Sequence, residues 1–499
     1  MEGESGRREI LDYHYYSGFG GIVDIETEMN LKGKHVLVMG MGETGLSITQ
    51  WLTRQNARIR VADSRIDPPN VTALESLLPE VEICAGPFED KIFNDIELIA
   101  MSPGVPVKDS HVRLAIERGM PVVGDLTLFQ WGLAQHQIIR PKIIAITGTN
   151  GKTTVTAMVG AMLKKAGLDV EVAGNISPAV LNAFMRRLDG GCLPEFWVLE
   201  VSSYQLELTE HLNADVAAVL NLSEDHLDRY DSMHDYMLAK ARIFSHEKES
   251  AGIQVLNRDN RESIAMSKPK KKQITFGLNA PATKMDFGVI YRDDDVWLME
   301  GRMPLVKTSE LLVNGLHNAA NALAALALCR ALQVPIEPLL SALREFQGLP
   351  HRMEKVAAFN DVTFINDSKS TNVGATVAAL KGVQQNVVLI AGGDGKGQDF
   401  SALREAVAKS ARAVVLLGRD AGQIAVALDG CGVPVFFAEA MDEAIQQSFL
   451  IAQKDDVVLL SPACASFDMF RNYMHRAEVF IAAVKDIEAG FFSVGKKEH

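Results

Sequence analysis

The stretch Ile143-Ile-Ala-Ile-Thr-Gly-Thr-Asn-Gly-Lys-Thr-Thr154 indicates how the centre of the chain folds. A β-branched, apolar run ends at Gly148, a second glycine turns the chain, and Lys152 opens a run with the apolar spacing of a helix. A strand, a glycine turn and a helix that begins with Lys-Thr can bind a polyphosphate, because backbone N–H groups and the helix N-terminus face the anion. Lys152 can then reach the β- and γ-phosphates, and the hydroxyl of Thr153 can hold Mg²⁺.

The loop departs from the standard phosphate-binding pattern, G-x-x-x-x-G-K-[ST], which requires glycine where this chain has Ile146. The alternative is an ordinary turn between a strand and a helix that is rich in small residues. The apolar strand before the loop and the helix after it favour the phosphate-binding interpretation. We therefore predict an ATP-binding loop made of Gly148, Thr149, Asn150, Gly151, Lys152, Thr153 and Thr154.

The length and composition of the whole chain are those of a multidomain globular protein. Its 499 residues suffice for about three domains of roughly 150 residues, and 47% apolar and 23% charged residues are ordinary values. The net charge of −13 argues against nonspecific binding to nucleic acid. Five scattered cysteines without a C-x-x-C pair suit a reducing cytoplasm and indicate neither a zinc cluster nor a disulfide framework. No apolar run approaches the ~20 residues of a membrane helix, so we expect a cytoplasmic protein that is not membrane-embedded.

The first domain shows a glycine-rich turn between two predicted strands. A strand that begins at His35 runs into Gly40-Met-Gly-Glu-Thr-Gly45, and the second strand ends at Asp63, 23 positions after Gly40. This pattern is typical of a Rossmann fold that binds a dinucleotide, with the acid on a ribose. Many βαβ units use such turns only structurally, so the pattern alone does not identify the ligand. A nicotinamide oxidoreductase would use this turn, but it would leave the polar residues of the later domains without roles.

Further polar residues follow strands or lie on helices of the central region. Glu200 ends a predicted buried strand, where a carboxylate can hold Mg²⁺; a simple surface charge is the alternative. His226 lies among acids after the next strand and is either a second metal ligand or part of a helix N-terminus. Lys240 lies beside the apolar face of a predicted helix and would by default be a surface lysine. Asn318 and Asn321 share a helical face and either contact a nucleotide or cap the helix.

The third region predicts a second doubly wound sheet. Four apolar strands, over 362–367, 386–391, 413–418 and 456–461, alternate with helical segments. Polar side chains gather where these strands end, at Lys369, Thr371, Lys396 and Ser466. Several cationic and hydroxyl groups at one sheet edge favour an anionic ligand over a chance arrangement. Together with the ATP-binding loop, they indicate the ATP-driven joining of two substrates, because a nucleotide-binding regulatory protein would not need the anion site.

The motifs of the three regions together resemble those of the Mur ligase family. They are Thr149-Asn-Gly-Lys-Thr153 with Glu200, Ser223-Glu-Asp-His226, Pro350-His-Arg352 and Asn366-Asp-Ser-Lys369. The family builds the peptide stem of bacterial cell-wall precursors, and the resemblance covers about Gly33 to Phe480. It implies an α/β fold of three domains: an N-terminal Rossmann-like sheet, a central P-loop ATPase-like domain and a C-terminal Rossmann-like doubly wound sheet. We expect an N-terminal extension over 1–30, a UDP-substrate-binding domain over 31–136, an ATP-binding central domain over 137–347 and an amino-acid-binding domain over 348–499.

Within the family, three stretches look most like the members that add D-glutamate to UDP-N-acetylmuramoyl-L-alanine. They are Gly124-Asp125 before Leu126–Phe129, Asp228-Arg-Tyr230 and Ser461-Pro-Ala-Cys-Ala-Ser-Phe-Asp468. The alternative is a sister ligase that adds another amino acid, although the Asp-Asn-Pro-Arg signature of the diamino-acid members does not occur in the sequence. The resemblance implies an acyl-phosphate intermediate, with ATP, UDP-N-acetylmuramoyl-L-alanine and D-glutamate as substrates. We further expect a monomer.

The resemblance also assigns residues to each ligand. The UDP-linked substrate would contact Gly42, Thr44, Gly45, Asp63, Arg65, Asn175, Ser202 and Gln205. ATP would contact Asn318, Asn321, Arg352 and Asp367 in addition to the phosphate loop. D-Glutamate would contact Thr371, Lys396, Ser466, Phe467 and Tyr473. Two Mg²⁺ ions would be held by Thr153, Glu200, His226 and a carbamylated Lys240, and the residues expected to be catalytic are Lys152, His226 and Lys240.

Overall fold

The computed structural model describes residues 30–136, 140–248, 251–292, 295–313 and 315–495. Residues 1–29 of the expected N-terminal extension lie outside the described residues. The chain divides into two compact units. The described residues up to His136 form the first unit together with Ala179–Asp189, and those of Arg140–Pro178 and Gly190–His499 form the second. Within the described ranges, no helix is long and apolar enough to cross a membrane.

The first unit is built on a parallel sheet. Its strands are β1 His35–Met39, β2 Arg58–Asp63, β3 Glu82–Ala85, β4 Leu98–Met101 and β5 Val122–Val123. The order across the sheet is β3-β2-β1-β4-β5, which is a Rossmann-like arrangement. The helices are α1 Glu43–Arg54, α2 Val71–Leu77, α3 Ser110–Glu117 and α4 Asp125–Gln135. The central strand β1 is apolar at nearly every position because both faces of a parallel sheet are covered.

The second unit begins with a parallel sheet that carries the phosphate loop. Its strands are β6 Lys142–Thr147, β7 Val170–Gly174, β8 Phe196–Glu200, β9 Val216–Val219, β10 Ile253–Asn257 and β11 Lys272–Phe276. The order is β11-β10-β9-β6-β8-β7, so β6 lies in the interior of the sheet. The helices in this part of the chain are α5 Lys152–Lys165, α6 Val180–Asp189, α7 Ser203–Glu207, α8 Met233–Ala241 and α9 Arg261–Ala265.

Helix α6 follows β7 in the chain but packs in the first unit. The ring of Phe184 lies 5.2 Å from that of Trp51 and 5.4 Å from that of Phe129, measured between centroids. A Cβ at Gly132 would lie only 2.5 Å from the Phe184 ring, so glycine is needed for this approach. The expected central domain, 137–347, therefore contributes one helix to the first unit.

A small antiparallel sheet and two helices complete the central region. The sheet contains β12 Phe287–Arg292, β13 Asp295–Glu300 and β14 Met303–Lys307 in chain order. The helices are α10 Leu316–Ala331 and α11 Ile336–Glu345. Every residue of α10 from Ala322 to Cys329 is buried, because this helix is apolar on all sides and packs within the core that includes Met158 and Met162 of α5.

The last sheet has six strands. They are β15 Glu354–Phe359, β16 Val362–Asn366, β17 Val387–Ala391, β18 Ala411–Leu416, β19 Val435–Phe437 and β20 Val457–Leu460, in the order β15-β16-β20-β17-β18-β19. Only β15 is antiparallel to its neighbour. The helices are α12 Val373–Gly382, α13 Leu403–Ser410, α14 Ala421–Leu428, α15 Met441–Ile451 and α16 Tyr473–Gly495. One apolar core lies on each face of the sheet, which confirms the predicted doubly wound arrangement.

Candidate active site

The phosphate loop connects β6 to α5, as the sequence predicts. Gly148 has φ +151° and Gly151 has φ +85°, conformations that favour glycine. A Cβ at Gly151 would lie 2.6 Å from Oδ1 of Asn321 on α10, so only glycine allows this close approach. The Nζ of Lys152 donates to the carbonyls of Gly148 at 2.8 Å and Thr149 at 2.7 Å. The lysine amine is thus held against the loop that would surround a phosphate, and its burial lowers the pKa of Lys152.

Glu200 is buried at the end of β8, where its register partner is Ile146 of β6. Its side chain is 2% exposed, so the surface-charge interpretation is wrong. Oε1 accepts a hydrogen bond from Nδ2 of Asn175 at 2.9 Å, while Oε2 is buried and has no hydrogen-bond partner among the described residues. A buried carboxylate oxygen without a donor suits an Mg²⁺ ion. The Nε of Arg352 is likewise buried without a partner in the described part of the chain, as suits an anion such as a phosphate.

Lys240 lies inside the protein, and the default interpretation as a surface lysine is wrong. The residue is 1% exposed because its helix, α8, turns this position toward β6. Its Nζ donates to the carbonyl of Gly148 at 3.0 Å and lies 4.7 Å from the centre of the Tyr236 ring. Burial, reinforced by the nearby charge of Lys152, keeps the pKa of Lys240 well below its usual range. These surroundings favour the neutral form of the amine over the charged form.

Asp225 and His226 follow β9 and face the phosphate loop from the other side. Asp225 is buried, and its Oδ2 lies 3.7 Å from Nε2 of His226. The Nδ1 of His226 lies 2.6 Å from the hydroxyl of Tyr204. Burial, together with the charges of three nearby lysines, lowers the pKa of His226 to about 4 despite the carboxylate of Asp225. The imidazole is therefore neutral at physiological pH, as a metal ligand must be.

The C-terminal region adds two cations to the phosphate loop. One guanidinium nitrogen of Arg352 lies 3.3 Å from the hydroxyl oxygen of Thr153, and Nζ of Lys369 lies 3.1 Å from the same oxygen. Burial and the charge of Arg352 lower the pKa of Lys369 to about 8. The sequence indicated Lys369 as part of a site for an anionic ligand but did not assign it to ATP, and the motif Asn366-Asp-Ser-Lys369 was the signal that could have done so.

A second contact joins the loop to the last sheet through amide groups. The side chains of Asn150 and Asn372 exchange two hydrogen bonds, of 3.2 Å and 3.0 Å. Asn372 also caps α12, where its Oδ1 accepts from the N–H of Ala375 at 2.9 Å. Sequence reasoning missed Asn372, because its pattern is that of an ordinary helix cap.

Lys396 of the C-terminal region also contacts a residue of the central region. Its Nζ lies 3.3 Å from Oδ1 of Asp225, and the residue has φ +51°, a left-handed conformation uncommon for lysine. This ion pair brings a residue expected at D-glutamate beside Asp225, which precedes the expected metal ligand His226 in the chain.

The other residues expected at D-glutamate or at ATP differ from one another in how deeply they are buried and in what they contact. Ser466 is buried, and the ring of Tyr473 lies 5.1 Å from Nζ of Lys369. Phe467 is 74% exposed, and Thr371 is half-buried. Asp367 points into its own domain, where Oδ2 accepts from the hydroxyls of Ser370 at 2.5 Å and Ser461 at 2.9 Å, and burial raises its pKa to about 6.

The glycine turn of the first unit has the expected tight geometry. A Cβ at Gly45 would lie 1.7 Å from the carbonyl oxygen of Gly40, so the third glycine is required for packing. Gly42 is the N-cap of α1, and Thr44 lies in its first turn. Asp63 is buried at the end of β2, where it accepts from the N–H of Met41 at 2.7 Å and from the guanidinium of Arg65 at 2.8 Å and 2.6 Å. Burial alone would raise the pKa of Asp63, but these hydrogen bonds keep it below its usual value.

Four other residues expected at the ligands form two hydrogen-bonded pairs. The hydroxyl of Ser202 accepts from the N–H of Gln205, whose Oε1 accepts from the N–H of Ser202, both at 3.1 Å. This reciprocal pair is a capping box at the start of α7. Nδ2 of Asn321 lies 3.3 Å from Oδ1 of Asn318, which confirms that the two share one face of α10.

Comparison with known proteins assigns each region to one family. The profile described as "Mur ligase MurD-like, N-terminal domain" matches residues 34–124. The profile "Mur ligase middle domain" matches 146–329, and "Mur ligase, glutamate ligase domain" matches 351–464.

Curated relatives align along nearly the whole chain. The UDP-N-acetylmuramoylalanine–D-glutamate ligase of Nitrosomonas europaea is 57% identical over 471 residues, which cover 94% of this chain and 100% of that protein. The ligase of the same name from Methylobacillus flagellatus is 53% identical over 460 residues, covering 92% of this chain and 98% of that protein.

Solved structures at lower identity share the fold. MurF from Acinetobacter baumannii has a TM-score of 0.58 at 16% identity, with 91% of this chain and 92% of that chain covered. The UDP-N-acetylmuramate-alanine ligase MurC of Thermotoga maritima has a TM-score of 0.57 at 19% identity, with 91% and 99% covered.

Proposed function

The chain belongs to the Mur ligase family, and we propose that it is the ATP-dependent ligase that joins D-glutamate to UDP-N-acetylmuramoyl-L-alanine in peptidoglycan precursor synthesis. The observation that carries this proposal is the 57% identity to a D-glutamate ligase along that protein's whole length. The geometry of the second unit supports it, because a phosphate loop, a buried carboxylate and several cations converge there. The use of ATP and a UDP-linked substrate supports a cytoplasmic location.

The reaction follows from the charges that must meet. A carboxylate oxygen of UDP-N-acetylmuramoyl-L-alanine attacks the γ-phosphorus of ATP, ADP leaves, and an acyl phosphate forms. The nitrogen of D-glutamate then attacks the acyl carbon, and phosphate leaves as the amide forms. Lys152, Arg352 and Lys369 offset the repulsion among these anions, since all three lie at the phosphate loop. The amine must lose a proton before or during its attack.

The residues of the site fit Mg²⁺. Glu200 offers an unpartnered buried oxygen, Thr153 a hydroxyl and His226 a neutral imidazole. Mg²⁺ bound there would neutralise charge on the phosphates and polarise the γ-phosphoryl group. The expected second ion would need a further anionic ligand.

We assign that anionic ligand to a carbamate on Lys240. Carbamylation requires a neutral amine, which attacks carbon dioxide, gains a carboxylate and releases one proton. The surroundings of the buried Lys240 favour the neutral amine, and Nζ lies beside the loop carbonyl of Gly148. The carbamate would place an anion at this position.

The residues expected at the UDP-linked substrate and at D-glutamate remain our proposals. Lys396 is supported by its ion pair with Asp225 and Tyr473 by its contact with Lys369, while Ser466 is buried. The monomeric state also stays a prediction, which sedimentation velocity would test.

Phosphate release tests the proposed function. With ATP, Mg²⁺ and UDP-N-acetylmuramoyl-L-alanine present, we expect release only when D-glutamate is added, and not with L-alanine, L-glutamate or a diamino acid. Release with a diamino acid instead would assign the chain to a sister ligase. ATP-independent reduction of NAD would support the oxidoreductase alternative.

A further inference from the structure

Tyr204 contacts His226 in two ways, through an edge-to-face contact of the two rings and through its hydroxyl. The hydroxyl lies 2.6 Å from Nδ1, and the two ring centroids are 4.9 Å apart. Tyr204 is the second residue of α7, directly after Ser203. No sequence pattern pointed to it, because a single tyrosine on a short helix is not distinctive.

The position of the Tyr204 ring is itself fixed. The guanidinium of Arg229 lies over the ring, 4.1 Å from its centroid, and Arg229 forms an ion pair of 2.8 Å with Glu207 at the end of α7. The ring of Tyr230 packs beside it at 6.2 Å between centroids. The phenol therefore meets His226 from a defined direction.

His226 has two ring nitrogens in different surroundings. Nδ1 faces the Tyr204 hydroxyl, whereas Nε2 lies on the side of Asp225, the residue that binds Lys396. The backbone of His226 has φ +58°, so the residue occupies a left-handed conformation that needs support from its neighbours.

We propose that Tyr204 is a positioning residue for His226. The phenol oxygen of Tyr204 accepts a hydrogen bond from the N–H at Nδ1, and this keeps the lone pair of Nε2 directed into the active site. The inference rests on the proposed function, in which Nε2 would bind Mg²⁺. A neutral imidazole has one N–H and one lone pair, so the partner of one nitrogen decides the state of the other. The Tyr204 hydroxyl lies 2.6 Å from Nδ1, and a phenol oxygen can accept a hydrogen bond from an imidazole N–H at this distance.

The hydroxyl is the part of Tyr204 on which this role depends. Phenylalanine would keep the ring beneath Arg229 but has no hydroxyl oxygen to accept a hydrogen bond from Nδ1–H. The imidazole could then exchange between tautomers or turn over, and Nε2 would present a lone pair for only part of the time. Loss of an outer partner of a metal-binding histidine typically weakens metal binding about 10- to 100-fold.

The first test needs neither metal nor substrate. Nitrogen-15 NMR of the metal-free, full-length protein with labelled histidine, assigned by the signals lost in His226→Asn, reports which nitrogen carries the proton. In the wild type we expect one tautomer, protonated at Nδ1; in Tyr204→Phe we expect averaged tautomers. A wild-type proton on Nε2, or an unchanged spectrum of His226 in Tyr204→Phe, would overturn the proposal.

The second test measures metal binding directly. Mn²⁺ is titrated into the protein with ADP present, and free Mn²⁺ is followed by electron paramagnetic resonance. Tyr204→Phe should weaken one class of Mn²⁺ site about 10-fold or more, while Tyr230→Phe, whose ring packs against the same tyrosine, should not. Equal Mn²⁺ affinity in Tyr204→Phe and the wild type would contradict the role. Neither test depends on which amino acid the enzyme adds, so their results would remain valid if the D-glutamate assay failed.

Discussion

At the scale of single residues, burial lowers the pKa of the lysines around the phosphate loop. Lys152 is hydrogen-bonded to loop carbonyls, Lys240 has a pKa well below its usual range, and Lys369 has a pKa of about 8. Three amines of the same type can therefore serve as a phosphate contact, a carbamylation site and a pH-sensitive cation.

Replacing Lys240 tests the carbamate. Lys240→Ala should lower turnover by on the order of 10²- to 10³-fold, because a charged group beside the transferring phosphate is lost. Short-chain carboxylic acids such as acetate should partly restore activity by filling the space of the missing carboxylate. The control is Lys165→Ala on α5, which removes only a surface ion pair with Glu345. Full activity of Lys240→Ala would refute the carbamate.

The charge of Lys369 should make nucleotide binding depend on pH. Above its pKa of about 8 the amine of the free protein is neutral. The amine must then take up a proton when it pairs with a bound phosphate. The affinity for ADP should therefore fall as pH rises above 8, by at most about tenfold per unit. Calorimetric titrations from pH 7 to 9.5 would measure this. Lys369→Arg stays charged and should flatten the profile; an identical pH dependence in this variant would rule Lys369 out as the cause.

From the sequence, motifs indicated several of the residues that the structure brings together. The loop from Gly148 to Thr154, Glu200 and His226 all lie where a strand ends, and sheet geometry brings such positions together. The burial of Lys240 could not be foreseen, since it depends on how α8 packs. Tyr204 was missed because its role consists of one hydrogen bond across 22 residues of sequence.

At the scale of elements, the phosphate loop works because two glycines allow its backbone to approach its neighbours. Gly151→Ala should strain a backbone with φ +85° by about 1–2 kcal/mol, and its Cβ would meet Asn321. We expect the affinity for ADP to fall at least about tenfold, which corresponds to ~1.4 kcal/mol.

Gly167→Ala is the matched control for the loop glycine. Gly167 has a similar φ of +79°, yet among the described residues, its chain neighbours aside, no atom lies within 4 Å of the position of an added Cβ. Both variants should lose thermal stability, but only Gly151→Ala should lose nucleotide affinity. Equal losses of affinity in calorimetry would mean that general destabilisation, and not the loop, is responsible.

Strands with continuous apolar runs could be predicted, and irregular ones could not. The predicted strands of the last sheet correspond to β16, β17, β18 and β20. Every residue of β17 and β20 is buried, and most residues of β16 and β18 are. No pattern in the sequence indicated β15, which is only partly buried, or β19, which has three residues at the edge of the sheet. The antiparallel strands β12 to β14 were missed because their alternation of apolar and polar residues is weak.

At the scale of the whole molecule, residues far apart in sequence meet in the second unit. Thr153 contacts Arg352 and Lys369, and Asp225 contacts Lys396. Chain order alone could not show these contacts, although the family resemblance implied that the central and C-terminal regions act on one reaction. They bring residues that we propose for ATP and for the incoming amino acid to one place, as the joining of two substrates requires.

The most direct test of the central claim follows an oxygen atom through the reaction. UDP-N-acetylmuramoyl-L-alanine is labelled with oxygen-18 in both oxygens of its alanyl carboxylate and converted with ATP, Mg²⁺ and D-glutamate. If the carboxylate attacks the γ-phosphate and phosphate then leaves the acyl carbon, mass spectrometry should find one oxygen-18 in each phosphate released and one in the amide product. Released phosphate without the label would contradict an acyl phosphate and the mechanism built on it.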